Sequence, residues 1–223
     1  MIIENFDYKH TKNSDWIFKN LNIEFSDRNI NVLTGPNGAG KSTLLDCIAD
    51  VDDIRNDSNF KKFPSKEMIA YQLQGVPFIG EVTVEKTIEL MLQIDGVISS
   101  MPSVPEYIKE LYKKKMRDLS GGQRRLVIIY GLSLLDRSLY LFDEPESGLD
   151  PEMSRKVIEL IEDISKQGKK VIMTTHQFSN IKESHKLFFL ANQTCLFSGT
   201  VSKLMDLTKT NEFSKVYERL RAQ

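Results

Sequence analysis

No stretch of this sequence is long and apolar enough to cross a bilayer. The longest strongly apolar run, Leu126 to Leu135, lies between Arg125 and Asp136 and falls well short of the ~20 residues that a spanning helix needs. Cysteine is scarce: Cys47 and Cys195 stand far apart without metal-ligand spacing, which reads as two buried free thiols in a reducing compartment. Basic excess is missing as well. Thirty Lys and Arg face 31 Asp and Glu for a net charge of −1, so nucleic acid is not the expected main partner. The N-terminus, Met1 to Tyr8, carries Glu4 and Asp7 and lacks the basic-then-apolar order of a signal peptide, which places the chain on the cytosolic side.

What is present is the composition of a soluble globular protein, with 40% apolar and 27% charged residues over 223 positions, enough to bury a sizeable core in one domain. Residues 2–25 alternate loosely between apolar and polar and predict an antiparallel starting sheet. Ile30 to Thr34, a glycine-rich turn and Lys41 to Ala49 follow as strand, loop and helix. The polar segment Asp50 to Ser65 has no clear pattern, and Met68 to Leu73 returns as a short strand. Val82 to Asp118 looks mostly helical, a helical insertion into an α/β core, and its run Lys113-Lys-Lys115 reads as a solvated helix face. Leu139 to Phe142 has no polar alternation, as expected of a parallel strand covered on both faces. In the next helix Asp150 is a cap, Pro151 a first-turn residue and Gly168 a stop. A strand over Val171 to Thr175, two strands near 187–190 and 194–197 and a helical tail complete the chain.

Three places carry chemistry. Gly35-Pro36-Asn37-Gly38-Ala39-Gly40-Lys41-Ser42-Thr43 satisfies the full phosphate-loop pattern between a strand and a helix. Its glycines turn backbone N–H groups towards phosphate oxygens, and the helix N-terminus adds partial positive charge. Lys41 is placed for the β- and γ-phosphates, Ser42 for a magnesium ion and Thr43 for the α-phosphate. Asp143 and Glu144 end a strand side by side, where two carboxylates repel unless a cation or a proton intervenes. Magnesium resolves this if Asp143 holds the ion and Glu144 polarises the attacking water. In Leu119-Ser120-Gly121-Gly122-Gln123, Ser120 and Gln123 fit a capping box. A cap does not need both glycines, each costing roughly 1 kcal/mol in a helix turn, so a second anion site competes with the purely structural reading.

Together these segments, with Asp143-Glu144-Pro145, Ser147-Gly-Leu-Asp150 and Thr174-Thr-His176, resemble the ABC ATPases in order and spacing over nearly the whole chain. The Leu-Ser-Gly-Gly-Gln element is specific to that family. The resemblance implies an α/β fold: a P-loop NTPase core of mostly parallel sheet, an antiparallel β subdomain and a small helical subdomain inserted at about 76–119 of a single domain spanning 1–223. It implies ATP and Mg2+, hydrolysed in an ATP-dependent homodimer or heterodimer in which the P-loop of one protomer faces Ser120 to Gln123 of the other. Glu144 is then the general base, His176 contacts the γ-phosphate, Asp150 communicates across the dimer and Gln74 touches magnesium, with Gln72 as its competitor. The adenine-stacking aromatic is expected at Tyr8, with Trp16 behind it. The partner is a separate transmembrane permease, which makes the chain a cytoplasmic subunit peripheral to the inner face of the membrane. The short tail leans towards export of a drug or peptide. A soluble relative acting on nucleic acid or ribosomes is the alternative.

Overall fold

The computed structural model describes every residue except 57, 74, 76–78, 95, 97–103, 211 and 222–223. Strand β1 (Ile2–Tyr8) pairs antiparallel with β2 (Phe18–Glu24). Next come β3 (Asn31–Thr34), helix α1 (Lys41–Ala49), β4 (Phe60–Lys61) and β5 (Ile69–Gln72). β4 adds to the other edge of β1, so the patternless segment after Asp50 contributes an edge strand too short to show a period.

Beyond β5 lie α2 (Val84–Ile94), α3 (Glu106–Lys109), α4 (Gly121–Ser133), β6 (Leu139–Phe142) and α5 (Pro151–Lys166). β7 (Lys170–Thr174), β8 (Lys186–Ala191), β9 (Thr194–Gly199), α6 (Val201–Thr208) and α7 (Phe213–Arg221) complete the order. The larger sheet runs β5-β6-β7-β3-β8-β9, parallel except for the antiparallel β8–β9 pair. It is therefore the mostly parallel α/β core, with a separate antiparallel sheet, that the motif pattern implies. Lys113 to Lys115 is a correction: it occupies a turn and an isolated bridge from Lys115 to Thr83, not a helix face. The run stays solvated because Lys115 pairs with Glu81 at 3.0 Å and Lys113 with Glu85 at 3.5 Å.

Two apolar cores explain the unbroken hydrophobic strands. Alternate residues of each strand point to opposite faces. Leu33, Leu139, Leu141, Ile172, Phe188 and Leu190 pack with α1 and the small sheet. Val32, Tyr140, Phe142, Val171, Met173 and Phe189 pack instead with α2, α4, α5 and the tail helices. Both faces are covered, so neither carries a polar stripe. Cys47 and Cys195 are free thiols, and burial pushes them up to about 12 and about 11. Among the described residues no helix is long and apolar enough to cross a membrane.

Capping follows the sequence. Asp150 accepts the Met153 N–H at 3.0 Å with Pro151 at the first helical position, and Gly168, at φ +81°, ends α5. Gly35 shows the tightest backbone approach: at φ +145°, a Cβ there would lie 2.1 Å from the Leu190 carbonyl oxygen. Backbone on backbone has no room to yield. Gly35→Ala should therefore destabilise the fold by ~3 kcal/mol, measured by chemical denaturation, whereas Gly38→Ala, with nothing near its Cβ position, should lose only the ~1–2 kcal/mol of its left-handed backbone.

Candidate functional site

The order β6-β7-β3 brings three separated segments to one edge. β3 delivers the glycine loop, β6 delivers Asp143-Glu144, and β7 delivers Thr174-Thr175-His176. Ligands of open α/β sheets bind at these carboxyl ends. A cleft of about 610 Å³ opens there, lined by His10, Ile17, Asn37, Gly38, Gly40, Lys41, Ser42, Thr43, Glu144 and His176.

Lys41 is buried, and its ammonium donates to the carbonyl oxygens of Gly35 at 3.1 Å and Pro36 at 3.0 Å. Burial pushes it below its usual range, while Glu144 and Asp143 pull it back up. A buried cation with only carbonyl partners fits an anion beside it. The cap of α1 is Gly40, left-handed and without a capping side chain, and the first turn holds no acidic residue. Its leading N–H groups are thus suited to phosphate oxygens.

Asp143 is buried and accepts a 2.6 Å hydrogen bond from the Thr174 hydroxyl, whose oxygen accepts the Glu144 N–H at 2.8 Å. Thr174 thereby fixes both acidic residues. Glu144 has φ +47°, a left-handed conformation costing an L residue ~1–2 kcal/mol, and its Oε1 lies 2.5 Å from His176 Nε2. Such strain persists only where the surroundings enforce it. Among the described residues there is no group of three or more His, Cys, Asp or Glu able to hold a metal. Magnesium takes few protein ligands and completes its shell with water and phosphate. Asp143 and Ser42 are the described residues that would hold it; Gln74 lies outside the described residues. Its competitor Gln72 is buried in β5, its side-chain N–H donates to the Leu73 carbonyl, and its backbone carbonyl accepts the Asp143 N–H at 3.0 Å.

Tyr8 does not line the cleft: it is half-buried, stacks on Phe6 at 5.9 Å and meets the His10 ring edge-on at 5.6 Å. Trp16 lies under Lys9 and Lys19 at 4.8 and 5.6 Å. Tyr8 is drawn into the apolar core of the small sheet, and His10 and Ile17 form the cleft wall at that end. Nothing in the pattern of Lys9 to Ser14 marks His10 for this. Ser120 to Gln123 form the cap that their spacing predicts. The capping box is real, with both bonds at 3.1 Å, and the two glycines have different reasons. A Cβ on Gly122 would meet Leu149 and Met153 at 3.2 and 3.1 Å, so it permits close helix packing, whereas Gly121 has nothing within 4 Å. Ser120 and Gly121 are exposed and do not join the cleft of their own chain.

Glu146 and Arg125 escaped the sequence reading. Glu146 is buried and accepts from the Thr175 hydroxyl; burial pushes its carboxyl above the usual range. Arg125, on α4, donates to the carbonyls of Glu144, Pro145 and Ser147. Two arginines on an otherwise apolar helix were the available signal.

A strand, glycine loop and helix over the carboxyl edge of a mostly parallel sheet, with acidic residues ending a second strand one place removed, define the P-loop class of nucleotide-binding folds. The ABC transporter family model matches residues 18–147, more than half the chain, and the chain belongs to that family. It is 28% identical over 207 residues to the energy-coupling factor transporter ATP-binding protein EcfA1 of Thermotoga maritima, covering 87% of this chain and 80% of that one. ABC transporter G family member 1 of Dictyostelium discoideum is 29% identical over 233 residues, covering 92% of this chain; the chain spans only 29% of that relative's length. Among solved structures, a dimeric post-hydrolysis ATP-binding cassette bound to ADP and Pi superposes with a TM-score of 0.69 at 21% identity, over 90% of this chain and 98% of that one.

Thr174 satisfies two buried partners at once. Thr174→Val should cost ~2 kcal/mol by urea denaturation, with Thr174→Ser within ~1 kcal/mol of the parent; equal stabilities for all three would refute the bridge.

Proposed function

We propose that the chain binds ATP with Mg2+ and hydrolyses it as one half of a dimer that drives transport through a separate membrane-spanning permease. The observation that carries this reading is the meeting of Lys41, Glu144 and His176 in one cleft. Lys41 exchanges two neutral carbonyl partners for β- and γ-phosphate oxygens, and the N–H groups of residues 37–43 cradle the chain of phosphates. Ser42 and Asp143 would hold Mg2+, which when bound would supply positive charge to offset the charge that develops on the phosphates. Glu144 orients and deprotonates the attacking water. His176, in contact with that carboxylate, steadies it and reaches the γ-phosphate.

A second protomer follows from where Ser120 and Gly121 sit. They are a capped helix start, exposed, with open space at Gly121, yet absent from the cleft of their own chain. Placed over a neighbour's cleft, that helix start closes on the γ-phosphate, with Gly122 and Gln123 shaping its first turn and Asp150 beside the contact. The dimeric cassette among the structural neighbours supports the arrangement. The chain then works in the cytoplasm, held at the membrane's inner face by its permease. The permease selects the cargo. No observation favours the nucleic-acid alternative.

Glu144→Gln should bind ATP as tightly as the parent, lose nearly all turnover and accumulate an ATP-dependent dimer on size-exclusion chromatography; normal hydrolysis would remove Glu144 from its role. Lys41→Ala should lose nucleotide affinity, since the charge supports ground and transition states alike. Undiminished binding of radiolabelled ATP would contradict this.

A further inference from the structure

The left-handed turn at Glu144 needs an enforcing contact beyond Thr174, because a bond to the N–H alone leaves the following carbonyls free to rotate. Arg125 supplies it from another element. Its Nη1 donates to the carbonyl oxygens of Glu144 at 3.3 Å, Pro145 at 3.4 Å and Ser147 at 2.6 Å. Three carbonyls converge on one guanidinium nitrogen, whose two N–H groups they share, and this common donor defines the path of the turn. The same turn leads, through Leu149, to the contact with Gly122 at the start of α4. Arg124, one residue earlier, fastens that start to the preceding loop through the carbonyls of Met116 at 3.3 Å and Leu119 at 3.1 Å. α4 is thus joined rigidly to the loop before it and to the turn that carries Glu144.

We propose that Arg125 is a positioning residue for hydrolysis: its guanidinium holds the Glu144 turn in its left-handed form and ties that form to the helix that starts at Ser120. Arg125 touches no reacting atom. It aims the Glu144 carboxylate, and it makes the aim depend on where α4 stands. The inference rests on the proposed ATPase reading, in which the start of α4 meets the partner's nucleotide. Docking of that helix start on one nucleotide then fixes the catalytic carboxylate belonging to the other.

The experiment is steady-state ATP hydrolysis and equilibrium nucleotide binding by the full chain, comparing parent, Arg125→Ala and Arg125→Lys. Arg125→Ala should lower kcat at least about tenfold with nucleotide Kd within about twofold. Arg125→Lys should fall between, since the lysine side chain is one bond shorter and its ammonium stops short of the Nη1 position. Guanidinium added below denaturing concentrations should restore turnover to Arg125→Ala, and urea at equal concentration should not. A kcat within about twofold of the parent, or no difference between guanidinium and urea, overturns the proposal. If Arg125→Ala does not fold, Arg125→Lys decides by the same split between kcat and Kd. A parent chain without any hydrolysis would instead remove the ATPase reading on which the proposal rests.

Discussion

Two carboxylates at the end of one buried strand repel each other and strain the backbone between them unless the neighbouring strand answers with donors and acceptors. Thr174 does so with a single hydroxyl, giving its proton to Asp143 and taking one from the Glu144 N–H. Everything else in the site is arranged around that bridge. β6 and β7 must be parallel neighbours in register for it to form, and parallel strands need crossovers that bury both faces of the sheet. The bridge therefore depends on the two apolar cores. It also sets where Glu144 can point, towards His176 and the lysine of the glycine loop.

Electrostatics in the cleft follow from burial. Lys41 carries its charge at 6% exposure, and burial alone favours losing the proton, yet two acidic residues and two carbonyls hold it there. A site that keeps a desolvated cation beside two carboxylates is set up to receive a polyanion accompanied by a divalent cation. Phosphates would relieve the lysine, and a divalent cation would relieve the carboxylates. Neither alone balances both. That pairing is a physical reason for the loop and the acidic strand end to occur together.

The segment around Ser120 shows how one motif serves two purposes. Its capping box satisfies helix donors within the chain, and Gly122 allows α4 to lie against Leu149 and Met153. Only Gly121 and the exposed serine remain for a contact outside the chain. The capping box is present, and the proposed ligand contact would use other atoms of the same turn.

The sequence determined much by itself: the glycine loop between strand and helix, the doubly buried strands, the Asp150 cap and the Gly168 stop all have local physical causes that a short window displays. Glycine tolerates positive φ, proline starts helices, and a strand covered on both faces shows no polar alternation. What only the tertiary structure decided depends on neighbours far along the chain. That β6, β7 and β3 lie side by side is a matter of sheet order, to which no local pattern is sensitive. The left-handed turn of Glu144, the reach of Arg125 across to it and the burial of Glu146 under Thr175 arise from packing between elements. Tyr8 illustrates the same divide: its aromatic ring makes it the expected base contact, and only packing between elements sets that ring against Phe6 and the core of the small sheet while His10 and Ile17 line the cleft.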